Sequence, residues 1–279
     1  MFFWFGITFF VFSLNRQAGK TPFLGGDKES VGVIELKGII TDAEETLDHI
    51  LQFRLSKSIK AIVVRIDCPG GAVGASQEIF REIARANEVK PVVASMGSVA
   101  ASGGYYAAIG AGKIVASPGT LTGSMGVIFK FPNLEEIFQK IGYRDEVIKS
   151  GKLKDIGSPS RPLTTEEREL LQSLLDEVHE QFIADIAQSR KLPSDDVRKV
   201  ADGRIFSGET AKNLGLVDEL GNFNDAVSLA AKLAGLQTET PLLVYPEEDQ
   251  LSLLKMLAEQ NVGSLLRKVT SHSPALYFE

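Results

Sequence analysis

Cysteine is almost missing from this chain: Cys68 is the only one among 279 residues. No disulfide can therefore form within one chain, which neither requires nor forbids a location outside the cytoplasm. One thiol cannot build a zinc cluster, and His49, His179 and His272, the only histidines, have no ligand spacing. The composition implies neither a metal nor a cofactor. Positive charge is short as well, with 30 Lys and Arg against 36 Asp and Glu and a formal net charge of −6. Binding to phosphate backbones needs a basic face, so nucleic acid is not the expected partner. Internal repeats and low-complexity stretches are lacking too.

The scarcity of histidine bears on catalysis. A serine hydroxyl is a poor nucleophile until a neighbouring base takes its proton, and histidine is the usual base. His49 and His179 fall in helical patterns with charged neighbours, and His272 lies near the C-terminal end, far from any glycine-rich turn. The remaining choice is a lysine whose amine is neutral. Ser102, in Val99-Ala-Ala-Ser-Gly-Gly-Tyr-Tyr106, and Lys154, in Ser150-Gly-Lys-Leu-Lys-Asp-Ile-Gly157, are accordingly read together as a serine–lysine hydrolase pair.

What is present is enough for a large core: 44% of the residues are hydrophobic and 24% charged, which suits one or two domains. Met1 to Leu14 is apolar or small throughout and uncharged. As a helix it would reach about 21 Å, short of the roughly 30 Å hydrocarbon core. It reads as a signal-anchor core or the remnant of a transmembrane helix; a buried N-terminal helix is the plainer alternative. Arg16 and Lys20 follow it, a placement that by itself biases against export of what comes next. Residues 15–30 read as a linker, 31–245 as the catalytic domain and 246–279 as a helical tail.

From residue 31 short apolar runs alternate with amphipathic helices. Strands are expected at 31–36, 61–66, 92–96, 113–117, 126–129, 146–149 and 241–245. Helices are expected at about 43–55, 74–87, 133–141, 164–190, 194–200, 208–214, 224–235 and 250–271, with another opened by Ser102. Thr164 and Glu167 make a capping box for the long one. This alternation predicts an α/β fold with a parallel-rich sheet, flanking helices and a helical C-terminal half. Along 164–190, Leu170, Leu171, Leu174, Leu175, Val178, Phe182, Ile183 and Ile186 mark one apolar face, expected to pack on the sheet or on another subunit.

Acyl transfer needs a nucleophile, a base and donors for the developing oxyanion in one place. Two glycine turns follow parallel strands, where open α/β sheets place their sites. Gly71 in Asp67-Cys-Pro-Gly-Gly71 and Gly103 beside Ser102 are the expected oxyanion N–H pair. A lysine base requires its pKa to fall from about 10.4 toward 7–8, at a cost of roughly 3–5 kcal/mol. Burial of Lys154 against an apolar wall, with Asp155 turned away, would achieve that; Lys149 and Lys152 compete for the role. Each residue also has a plainer reading. Ser102 suits close helix–sheet packing, Lys154 an exposed loop, Cys68 a small buried hydrophobe, and Tyr105 and Tyr106 helix packing.

These residues carry a family resemblance. The chain resembles the short, single-repeat form of signal peptide peptidase A, membrane-bound serine–lysine proteases of the crotonase/Clp protease-like fold, over about residues 31–245. The motifs are Asp67-Cys-Pro-Gly-Gly71, Met96-Gly-Ser-Val-Ala-Ala-Ser-Gly-Gly-Tyr-Tyr106, Leu121-Thr-Gly-Ser-Met-Gly-Val127, Lys149-Ser-Gly-Lys-Leu-Lys-Asp155 and Ala201-Asp-Gly-Arg-Ile-Phe-Ser-Gly208. The resemblance implies Ser102 as nucleophile, Lys154 as general base, Ser124 as the serine that orients the lysine, and Gly71 and Gly103 as oxyanion donors. It further implies remnants of cleaved signal peptides and other apolar peptides as substrates, and a homo-oligomeric ring in which the next subunit walls part of each site. A single-pass anchor in the cell membrane would hold the catalytic domain on the extracytoplasmic, periplasmic side. Asp67 and Cys68 depart from the family's usual Asn-Ser before Pro-Gly-Gly. Two rival functions are an acyl-coenzyme A enzyme of crotonase type and a catalytically inactive, membrane-tethered peptide-binding scaffold.

Overall fold

The structure is a computed structural model that describes residues 28–237, 240–246 and 277–278. The expected anchor at 1–14, most of the linker and the helix at 250–271 lie outside the described residues. Five strands build the sheet around the site: β1 (Ser30–Lys37), β2 (Ile59–Cys68), β4 (Val92–Ala101), β5 (Lys113–Ala116) and β6 (Leu121–Gly123), with the two-residue β3 (Gly71–Ala72) just past β2. Late strands β7 (Ile205–Ser207), β8 (Glu219–Leu220) and β9 (Leu242–Val244) complete an eight-stranded sheet of order β7-β6-β4-β2-β1-β9, with β5 and β8 branching from β4. Every pairing in it is parallel except β6 with β7.

The crossover helices are α1 (Glu44–Leu55), α2 (Val73–Val89) and α3 (Gly103–Ala108); α4 (Glu135–Ile141), α5 (Thr165–Arg190), α6 (Ser194–Val200), α7 (Gly208–Asn213) and α8 (Phe223–Leu233) follow. Alternation along the strands divides the core. Ile34 and Leu36 of β1 and Ile62, Val64 and Ile66 of β2 face the larger cluster. Val31, Val33, Ala61 and Val63 face the smaller one, covered by Ala226, Val227, Ala230 and Ala231 of α8. Successive side chains of a strand leave opposite faces, so a sheet covered on both sides requires this near-continuous apolar run.

Two expected strands are absent. Residues 126–129 and 146–149 are not strands, although Ile128 makes a single bridge. A strand needs a neighbour for its N–H and C=O groups, and beyond Gly123 the edge of the sheet is already taken by β7. The apolar side chains of the second segment are instead exposed: Val147 and Ile148 stand open to solvent, Ile148 at 94%. The long α5 forms with the expected capping box, Thr164 Oγ1 accepting from the Glu167 N–H and the Glu167 carboxylate from the Thr164 N–H. Only its second half packs on the core, through Val178, Phe182, Ile183, Ile186 and Ala187; Leu170 and Leu174 are exposed. Among the described residues no helix is long and apolar enough to cross a membrane.

Candidate active site

The ends of β2, β4 and β6 converge, and the turns that leave them carry four of the five expected site residues. Ser102 caps α3 with φ 54° and ψ −119°, a conformation that L-residues rarely adopt. Neighbouring structure holds it there. The Ser102 N–H donates to the Gly123 carbonyl at 2.8 Å, and the Ser102 carbonyl accepts from the Tyr106 N–H at 2.8 Å. Behind it, Tyr105 Oη donates to the Leu216 carbonyl at 3.0 Å, Tyr106 hydrogen-bonds Asp185, and the Tyr106 ring stacks on Phe182 at 4.3 Å. Burial pushes both phenols well above the ordinary tyrosine range, so they are neutral packing groups, as expected.

The two glycine turns meet. A Cβ on Gly103 would overlap Ser76 Oγ and stand 3.2 Å from the Gly71 nitrogen; one on Gly71 would overlap the Ile40 carbonyl oxygen. Only glycine permits this approach of backbone to backbone. Cys68 lies buried beneath the same turn, its sulfur accepting from the Gly70 N–H at 3.3 Å. Burial pushes its thiol up, which leaves it a neutral packed group rather than a thiolate nucleophile.

Ser124 stands beside Ser102, one residue past the registered pair Ala101 and Gly123 on adjacent strands. It also has positive φ, 50°, and its N–H donates to the Arg204 carbonyl at 2.8 Å. The segment of Arg204, Phe206 and Ser207 ties the second half of the chain to the sheet, since β7 pairs with β6. Among the described residues only Ser102, Ser124 and Lys191 are non-glycines with positive φ, so two of the three sit in this site. Strain of this kind persists where the surroundings over-determine it, and it concentrates at functional sites.

Ser102 is wholly buried, and among the described residues its Oγ has no hydrogen-bond partner. A buried hydroxyl without a partner costs about 1–3 kcal/mol. A family model and several sequence relatives match the chain. The model of peptidase family S49 matches residues 84–237. The chain belongs to peptidase family S49. A putative protease of Synechocystis sp. is 43% identical over 219 residues, 78% of this chain and 79% of that protein. Protease 4 of Salmonella typhi is 39% identical over 256 residues, 88% of this chain and 40% of that protein. A putative signal peptide peptidase SppA of Enterococcus faecium is 30% identical over 257 residues, 87% of this chain and 74% of that protein. The chain is a serine endopeptidase of the signal peptide peptidase A kind, and its mostly parallel α/β sheet is the S49 fold.

Among the described residues of this S49 peptidase no hydrogen bond joins Lys154 to Ser102. The lysine lies exposed in a run of turns, its N–H donating to the Gly151 carbonyl at 3.1 Å. Its rivals are occupied: Lys149 pairs with Asp155 and Lys152 with Glu166. Among the described residues no side-chain partner holds the Lys154 amine, and Asp155 turns away from it as expected, toward Arg161 at 3.0 Å and Lys149.

Arg161 escaped the sequence reading. Its guanidinium spans Asp155 and Glu167, donating to Glu167 Oε1 at 2.5 Å and Oε2 at 2.8 Å, to Asp155 Oδ2 at 3.1 Å and to the Asp155 carbonyl at 3.2 Å. The only signal was an arginine three residues before a capping box, which is too common to read. Arg161, followed by the Thr164 N–H, holds the Glu167 carboxyl down at about 2; Arg161 and then Lys149 hold Asp155 well below the usual carboxylate range. The lysine-bearing turns are thus strapped to the start of α5. A depressed carboxylate stabilises the fold above its unfolded pKa and loses that contribution as pH falls through the folded one. The urea midpoints of wild type and Arg161→Ala should therefore differ at neutral pH and converge as pH falls from 4.5 to about 2. If Lys154 is the base, Arg161→Ala should also lower kcat about tenfold, because the turn carrying it loses its anchored frame.

Proposed function

We propose that this S49 peptidase degrades apolar peptides of the signal-peptide type, with Ser102 as nucleophile, Lys154 as general base, Ser124 orienting the lysine, and the Gly71 and Gly103 N–H groups holding the oxyanion. The single observation that carries the reading is the buried, partnerless Ser102 Oγ against two facing glycine turns. Lys154 takes the hydroxyl proton as Oγ attacks the peptide carbonyl. The tetrahedral intermediate collapses to an acyl-enzyme as the amine leaves with that proton, and water, deprotonated by the same lysine, releases the acid.

The base arrives with another copy of the chain. Among the described residues Lys154 is exposed and unpaired while Ser102 is buried and unpaired, and Val147, Ile148, Tyr143 and Ile141 make the arm around the lysine apolar and open. Packing of that arm on a neighbour in a ring would exclude water from the amine and bring it to the next subunit's Ser102. Membrane attachment through residues 1–14, with the catalytic domain on the extracytoplasmic side, fits such a substrate.

An extended substrate has a ready berth. Residues Tyr277–Phe278 of this chain form β10, which adds antiparallel to β3, Phe278 opposite Gly71 and Tyr277 opposite Ala72. Addition of a strand to an open edge is a general mode of peptide recognition. The test is digestion of a synthetic apolar signal-like peptide and a polar peptide of equal length, read by mass spectrometry. Wild type should cleave the apolar peptide preferentially, Ser102→Ala neither, and removal of residues 277–279 should lower KM several-fold by freeing the edge, about threefold or more. Equal cleavage of both peptides, or an unchanged KM, would count against this substrate and this berth respectively.

A further inference from the structure

Asp67, one of the two departures from the family's usual motif, stands where the nucleophile turn and the oxyanion turn are tied together. Strands β2 and β4 run in register from Ile62 with Val92 to Ile66 with Met96, and the next registered pair is Cys68 with Ala100. Between those pairs β2 passes only Asp67, whereas β4 passes Gly97, Ser98 and Val99. The strand β4 therefore bulges, and at the bulge it exchanges one neighbour for another: Val93 to Met96 pair with β5, Val99 to Ala101 with β6. A bulge disrupts the ladder and strands backbone groups that must find partners elsewhere.

Side chains supply those partners. The Val99 N–H donates to Asp67 Oδ1 at 3.1 Å, Thr120 Oγ1 donates to the Gly97 carbonyl at 2.8 Å, and Arg65 Nη1 donates to the Met96 carbonyl at 3.1 Å. The Asp67 carboxyl fills the space that a side chain at residue 97 would need, since a Cβ there would stand 2.9 Å from Asp67 Cγ. Past the bulge β4 reaches Ser102 in three residues, and past Asp67 β2 reaches Gly71 in four. One carboxylate thus sets the advance of the nucleophile strand relative to the oxyanion strand.

We infer that Asp67 is a positioning residue for the peptidase reaction: by accepting the Val99 N–H it holds the β4 bulge, and so aligns Ser102 with the Gly71 amide. The inference rests on the assignment of Ser102 and Gly71 above. The working property is the acceptor oxygen, so an amide oxygen serves as well as a carboxylate oxygen. Thr120 does the complementary work on the other side of the bulge.

The test compares Asp67→Asn and Asp67→Ala in the full chain, by steady-state peptide cleavage and by hydrogen exchange of the segment containing Val99. Asp67→Asn should keep kcat within about threefold, since it retains the hydrogen bond. Asp67→Ala should lower kcat by about 10- to 100-fold with KM within about twofold, and should speed exchange of the Val99 amide. A merely structural role would lower the melting temperature and leave kcat per folded molecule alone. The inference is overturned if folded Asp67→Ala keeps kcat within about twofold of wild type, or if Asp67→Asn is as impaired as Asp67→Ala. Should Asp67→Ala not fold, Thr120→Val must show the same loss in kcat and Thr120→Ser must restore it. The exchange measurement does not depend on peptide turnover, so it separates failure of this inference from failure of the proposed Ser102 chemistry.

Discussion

Ser102→Ala and Lys154→Ala preparations, each inactive alone, should regain peptide cleavage when unfolded together and reassembled. Each variant alone should lose about 10³-fold or more in kcat, the scale expected when a nucleophile or its base is removed. Two facts motivate the mixing experiment: among the described residues the Ser102 hydroxyl has no partner, and the Lys154 amine lies on the surface with none either. In a head-to-tail ring assembled from equal amounts of the two variants, about one interface in four joins an intact serine to an intact lysine. Activity near that fraction of wild type is the expected result. A mixture as inert as its parts would mean that the pair closes within one chain after a rearrangement of residues 124–163, and the assembly argument would be withdrawn.

The second large effect belongs to the glycines. Gly103→Ala places a methyl group against Ser76 Oγ and 3.2 Å from the Gly71 nitrogen, the proposed partner donor. The N–H of residue 103 is retained, so the damage would come from displacement of the turn; a displaced donor is expected to lower kcat by up to about 10²- to 10³-fold, with little change in KM. Part of that loss should be recoverable. Ser76 Oγ donates to the Ala72 carbonyl at 2.9 Å and is the atom the new methyl would strike, so Ser76→Ala makes room for it. The double variant should be more active than Gly103→Ala alone if displacement of the turn caused the damage. Gly71→Ala offers no such relief, because its methyl would meet the Ile40 backbone, which no side-chain substitution removes. It should be both inactive and destabilised, by about 1–3 kcal/mol in a denaturant titration.

How much of this could be read beforehand differs from element to element. The strand β2 was legible because AIVVRI is apolar on both faces, and α5 because a capping box precedes a helical repeat of apolar residues. The failures share a cause. EVIK at 146–149 has strand-like composition, but a strand is defined by its partner, and nothing local to those four residues reports that the sheet edge is closed by Ile205–Ser207 some sixty positions away. The turns carrying Gly71, Ser102, Gly103 and Ser124 were legible as motifs, and the register of β2, β4 and β6 brings them together. The burial expected for Lys154 was not found within the chain. Short-range pattern says nothing about which copy of the chain supplies the wall against the lysine. Asp67 and Arg161 were invisible in their roles for a related reason: each acts by satisfying backbone or carboxylate groups from other segments.

The exposed lysine arm has a consequence for the fate of a newly made chain. A peptidase whose serine is complete in one molecule can cut its neighbours from the moment it folds, and cells contain such enzymes with propeptides or inhibitors. If the proposed assembly holds, the hydroxyl, already strained into place, waits for an amine carried by a sibling, and a solitary molecule would be inert by stoichiometry alone. Dilution would then act as an off-switch, and crowding as the trigger.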